Sequence, residues 1–108
     1  MTLAPKNVAA LAGRAAEAAA ALKLLANEQR LMLLCRISQG ECPVGELVEF
    51  SGLPQSSVSQ HLGRLREAGM VRTRREGTSI FYRLADANVS QLIGTVCAIY
   101  GRDKPPLS

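Results

Sequence analysis

Apolar residues recur every three or four positions through the first two thirds of this chain, then every second position, then every three or four again. The first regime predicts helices and the second a β-hairpin. Val8, Leu11, Ala12, Ala15 and Ala19 form a stripe of small side chains, which predicts a helix from about Asn7 to Ala20. Small side chains also let two helices approach closely, as at a dimer seam. A second helical stretch covers residues 21–38, where Leu31, Leu34, Cys35 and Ser38 share a face with Leu24 and Leu25. Within it, Asn27 offers a cap for a fresh start near Ala26-Asn27. Gly40 to Pro43 stops that helix, and Pro43 followed by Glu46 and Glu49 suits a third helix of about Val44 to Ser51. The turn Gly52-Leu53-Pro54 leads into a helix from about Gln55 to Ala68, whose Val58, Leu62 and Leu65 lie at i, i+4 and i+7. Gly69 is placed to cap its C-terminus.

After Gly69 the period shortens to two. Val71, Thr73, Ile80 and Tyr82 alternate with Arg72, Arg74, Phe81 and Arg83, and Glu76-Gly77 between the two runs marks a hairpin turn. Asp86 then offers an N-cap for a last helix of about Ala87 to Tyr100, with Val89, Leu92, Ile93, Val96 and Tyr100 as its expected buried stripe.

Composition narrows the picture. A chain of 108 residues, 47% hydrophobic but only 4% aromatic and without Trp, builds its core from Leu, Ala, Val and Ile, as helix-on-helix packing does. We expect a single domain over 1–108, with flexible tails at about 1–6 and 102–108. No apolar run approaches the ~18 residues that would suggest a membrane span. The Ala-rich N-terminus carries Lys6, Arg14 and Glu17 and lacks the compact apolar segment of a secretory signal, so the expected location is the cytoplasm. Three cysteines, Cys35, Cys42 and Cys97, form no C-x-x-C pair, and an odd count in such a compartment reads first as free thiols rather than a disulfide framework.

The charge distribution says more than its sum. Residues 51–83 hold six Arg against two Glu and so carry the whole net charge of +4, the rest of the chain being balanced. A basic patch of that kind attracts phosphate polyanions, and every cation in it is Arg, whose planar fork suits phosphates and base edges. The helix of SSVSQHLGRLREAG (56–69) fits that target. Its polar faces carry Ser, Gln, His and Arg instead of the Glu and Lys of ordinary solvated helices. Two short helices joined by a tight turn, then a basic two-stranded ribbon, make a winged helix-turn-helix. The second helix is slim enough for a major groove, and the ribbon carries Arg72, Arg74 and Arg75 towards the flanking backbone. The expected fold is mainly α with a small β-hairpin wing, in the order α-α-α-α-β-β-α.

The segments ALKLLANEQRLMLLCRIS (21–38) and VGELVEFSGLPQSSVSQHLGRLREAGMVRTRREGTSIFYRL (44–84) resemble the ArsR/SmtB family of dimeric bacterial repressors, over roughly residues 20–100. The motif S-x-x-S-Q-H-L-x-x-L-R-x-A-G followed by R-R-E-G-x-x-x-x-Y is highly specific for it. The resemblance implies a homodimer joined through the first and last helices, bound as a repressor to an inverted-repeat operator in double-stranded DNA. Release would follow when a small inducer reaches a sensor site. On the matching positions, the reading helix supplies Gln55, Ser56, Ser57, Ser59, Gln60, His61 and Arg64. The wing supplies Arg74, Arg75, Gly77 and Thr78.

Sensor sites vary within the family, and the departures here are informative. Where arsenite and cadmium sensors carry Cys-Val-Cys-Asp-Leu, this chain has Pro43-Val44-Gly45-Glu46-Leu47, so both thiolates are missing. Of the zinc-sensing positions on the last helix Asp86 matches, but Asn88, Ile99 and Arg102 occupy the others, and one Asp does not hold zinc. No metal site and no cofactor are therefore expected. The thiol-based branch, which senses persulfides or oxidants, is more similar. It implies Cys35 and Cys97 as sensor thiols answering a small thiol-reactive inducer, with Arg30 and Arg36 near Cys35. Its second cysteine, however, falls at Gly101, one helical turn or about 5.4 Å beyond Cys97, and a disulfide needs Cα atoms within roughly 4.4–6.8 Å. Different helix packing, a polysulfide bridge and a Cys97 that is merely core all remain open. So do a metalloid repressor built on Cys35, Cys42 and Cys97, and a protein-interaction module that has lost DNA binding. An enzyme is not expected: the chain has one His, no convergent carboxylates and no Gly-rich phosphate loop.

Overall fold

The computed structural model describes residues 5–101. The tails expected at about 1–6 and 102–108 lie outside the described residues, apart from Pro5 and Lys6, whose backbone opens the first helix. Five helices and three strands follow: α1 (Pro5–Leu25), α2 (Glu28–Ser38), β1 (Cys42–Pro43), α3 (Val44–Ser51), α4 (Gln55–Glu67), β2 (Val71–Glu76), β3 (Ser79–Leu84) and α5 (Ala87–Tyr100). The core gathers Leu33, Leu34 and Ile37 of α2, Leu47 of α3, Val58, Leu62 and Leu65 of α4, Met70 and Val71, and Ile93 of α5, together with Cys42. Among the described residues no helix is long and apolar enough to cross a membrane.

Local chemistry accounts for most of the boundaries. The expected break at Ala20 does not occur. α1 runs on to Leu25, with one non-helical residue at Arg14, and the chain breaks where Asn27 accepts from the Arg30 backbone N–H at 3.0 Å. Arg30 also donates through Nε to the Leu24 carbonyl, 2.9 Å, and so satisfies an orphan acceptor at the end of α1. At the end of α4, Gly69 takes φ +75°. Met70 N–H then reaches Leu65 O and Gly69 N–H reaches Arg66 O, the paired bonds of a Schellman stop. Asp86 caps α5 by accepting from Val89 N–H at 2.9 Å.

Two expected stripes are displaced. On α2 the buried face is Leu33, Leu34 and Ile37, while Leu31, Cys35 and Ser38 sit half-buried at its edge. α2 packs against α3, α4, α5 and β3 at once, so its centre of burial follows the crowd of neighbours rather than one stripe. On α5 only Ile93 is fully buried, and Tyr100, expected inside, is 83% exposed at the helix end.

The strand β1 was not foreseen, being two residues long. It pairs antiparallel with β3, Cys42 opposite Tyr82 and Pro43 opposite Phe81, so the sheet order is β1-β3-β2. β2 and β3 pair from Val71–Leu84 to Glu76–Ser79, which leaves Gly77 and Thr78 as the two-residue turn. Gly77 has φ +63° at the first central position, where hairpin turns of this length favour glycine.

Candidate functional site

α4 is amphipathic in the strict sense. Val58, Leu62 and Leu65 are fully buried, and the opposite side presents Gln55, Ser56, Ser59, Gln60 and Arg64 to solvent. Ser57 is half-buried on the flank. His61 also leaves the open face: its Nε2 lies 3.0 Å from Gln29 Oε1 on α2. Burial first, and then the neighbouring Arg30 and Arg64 charges, hold its pKa below the ordinary 6.5. The imidazole is thus neutral at pH 7 and orients α4 against α2.

In the hairpin, Val71, Thr73, Arg75, Ile80, Tyr82 and Leu84 share one face by the pairing register, and Arg72, Arg74, Glu76, Phe81 and Arg83 the other. Arg75, Gly77 and Thr78 are exposed at the tip, and Arg72 and Arg83 are exposed lower down. Arg74 differs. Its guanidinium lies 4.5 Å from the centre of the Phe81 ring and is bound by Glu41 and Glu76. Ten of the eleven expected contact residues therefore lie on the exposed side of α4, on its flanks or at the wing tip, while Arg74 is occupied within the chain.

The three thiols separate into a pair and a single. Cys35 of α2 and Cys97 of α5 are joined as a disulfide, with Cα atoms 6.5 Å apart. That lies inside the range a disulfide tolerates, about 4.4–6.8 Å, although Cys97 sits one turn before the position suggested by the resemblance. The bond faces an open groove of about 480 Å³ lined in part by Met32, Arg36, Phe50, Val96 and Tyr100. Arg36 lines the same groove, with its guanidinium paired to Glu46 at 3.2 Å, and Arg30 is turned to Leu24. Cys42, on β1, is fully buried, its Sγ 3.6 Å from both Pro43 O and Glu46 Oε2. Desolvation raises its pKa most, against the opposing Arg36 charge, and Glu46 adds to the rise. Among the described residues no three His, Cys, Asp or Glu side chains come together as a metal site.

Residues 27–73, from the cap of α2 into β2, match the family described as bacterial regulatory protein, arsR family. The biofilm growth-associated repressor of Agrobacterium fabrum is 50% identical over 91 residues, covering 84% of this chain and 78% of that protein. The structure of reduced HlyU from Vibrio cholerae superposes with a TM-score of 0.81 at 39% identity, over 85% of this chain and 97% of that one. The transcriptional repressor BigR from Xylella fastidiosa gives 0.78 at 39% identity, over 94% of this chain and 100% of that one. With the family model matching from α2 into β2 and a relative 50% identical over 84% of the chain, the chain belongs to the arsR family of bacterial regulatory proteins and is a winged-helix transcription regulator, not an enzyme.

Proposed function

We propose that the protein is a cytoplasmic repressor that binds an inverted-repeat operator as a homodimer and leaves it when Cys35 and Cys97 are oxidised. The reading helix contributes Gln55, Ser56, Ser57, Ser59, Gln60 and Arg64, and the wing tip contributes Arg75, Gly77 and Thr78. A repressor among the similar proteins supports the sign of regulation. The single observation that carries the sensing half is the 6.5 Å Cα separation of Cys35 and Cys97 across two helices. Oxidation removes two protons and two electrons from the thiol pair, accepted by a peroxide or by the sulfane sulfur of a persulfide. Since α2 packs on α4 as well as on α5, a covalent tie between α2 and α5 biases the position of the reading helix. A few kcal/mol of preference for the DNA-incompetent state suffices for release.

For dimerisation the support is apolar surface left on α1 and α5: Val8 and Leu11 are each 51% exposed and Ile99 56%. The test is operator binding before and after polysulfide or peroxide, with mass spectrometry of the cysteines. We expect loss of binding with a Cys35–Cys97 crosslink in the wild type. Cys35→Ser and Cys97→Ser should each bind DNA and ignore the oxidant, and Cys42→Ser should behave as wild type. Full response in Cys97→Ser but none in Cys42→Ser would reassign the sensor to Cys35 and Cys42.

A further inference from the structure

Arg74 was expected to touch DNA, and its surroundings argue otherwise. It starts on the edge strand β2, crosses the central strand β3 over the Phe81 ring and ends at Glu41, the residue before β1. Nε donates to Glu41 Oε1 at 2.7 Å, and a terminal guanidinium nitrogen lies 2.6 Å from the same oxygen. The other terminal nitrogen donates to Glu76 Oε2. All three nitrogens of the fork therefore face carboxylates, and the guanidinium carbon sits over the Phe81 ring. Side-chain exposure is 42% for Arg74 and 28% for Glu41. Among the described residues Arg72, Arg75 and Arg83 have no carboxylate partner within ion-pair distance.

We propose that Arg74 is a positioning residue, not a DNA contact: the Glu41–Arg74–Glu76 clasp ties the wing to the loop after α2. The wing then meets phosphate through Arg72, Arg75 and Arg83. A phosphate that took Arg74 from the clasp would leave Glu41 and Glu76 unpaired beside a polyanion. That exchange trades two charge-assisted contacts for one and adds like-charge repulsion. Glu41 and Glu76 accordingly set how much positive charge the wing shows. The inference rests on the DNA-binding reading above.

The test measures binding of the full chain against salt, using a duplex recovered from a random-sequence pool with the wild-type protein. Each lost phosphate contact lowers the slope of log K against log salt by about one, so a substitution carried by both subunits of the proposed dimer lowers it by about two. Arg75→Ala should lower it by that amount, and Arg74→Ala should leave it unchanged even where overall affinity falls. In the Glu41→Gln/Glu76→Gln background the slope should rise by about two, and adding Arg74→Ala there should return it to the wild-type value. A second measurement needs no affinity: the Arg74 Nε–H resonance should shift on Glu41→Gln and stay in place when DNA is added to the wild type. A wild-type slope that drops by about two on Arg74→Ala, or an Arg74 resonance that moves with DNA, overturns the clasp. Failure of the wild type to select or bind any duplex overturns the DNA-binding reading instead, while the resonance response to Glu41→Gln still reports on the clasp.

Discussion

His61 is the only histidine in the chain and sits in the middle of the helix proposed to read DNA, yet its ring is spent on Gln29. Its pKa is held below 6.5 by burial and then by Arg30 and Arg64. Above pH 6.5 the imidazole is neutral in folded and unfolded chains alike and adds no pH dependence. As pH falls through 6.5 the unfolded chain takes the proton first, so stability declines below that point. We expect a single imidazole resonance titrating below 6.5, and a flatter stability profile between pH 5 and 7 in His61→Gln, read by denaturant unfolding. A midpoint above 6.5 would mean that a carboxylate or phosphate partner dominates. Cys42 makes the complementary case. Fully buried with a raised pKa, it should resist alkylation at neutral pH long after Cys35 and Cys97, once reduced, have reacted.

The helix α4, proposed to read DNA, divides its residues by face. Val58, Leu62 and Leu65 anchor it with no exposed surface, so Leu62→Ala should cost about 2–5 kcal/mol in unfolding free energy through the cavity it leaves. Gln60 is exposed on the other side. Gln60→Ala should leave the unfolding midpoint in place and relax sequence preference by about 1–3 kcal/mol, the value of a bidentate amide–base contact. Stability loss without a change in preference would place Gln60 in packing instead. The helix end is as specific as its face. Gly69 at φ +75° puts an alanine there in the left-handed region at about 1–2 kcal/mol, so Gly69→Ala should lower stability by that amount while the duplex preference is kept.

At the scale of the whole molecule, α1 lies mostly in solvent, with Val8 and Leu11 half-exposed along a stripe of alanines. If that stripe is the dimer seam, Leu11→Glu should give a folded monomer in sedimentation, because Leu11 does not belong to the core. It should also abolish tight operator binding. A wild-type dimer should place its reading helices about 34–36 Å apart, one helical turn of DNA. With six to ten phosphates contacted, affinity should fall about 10³–10⁵-fold between 50 and 200 mM salt. A Leu11→Glu chain that remains dimeric and binds normally would move the seam elsewhere.

Local order was legible in the sequence because it depends on near neighbours. The 3.6 and 2.0 periods, the Asn27 and Asp86 caps, the Gly69 stop and the Gly77 turn each rest on residues within one or two turns of the backbone. They sufficed for the helices, the hairpin and the basic reading face, and the family motif lay on that same stretch. What the sequence left open depended on residues far apart in the chain. Cys35 and Cys97 are 62 residues apart, and whether an offset of one turn brought them together was settled only by how α2 and α5 cross. His61 and Gln29 are separated by 32 residues and Arg74 and Glu41 by 33. A motif cannot register such partners, so it gave His61 and Arg74 the same role as their neighbours. β1 is two residues long, too short for a period, and exists because β3 offers it a free edge. Burial on α2 likewise followed the elements packed around it rather than its own stripe. Sequence set which groups were available for chemistry, and tertiary packing set which of them were already taken.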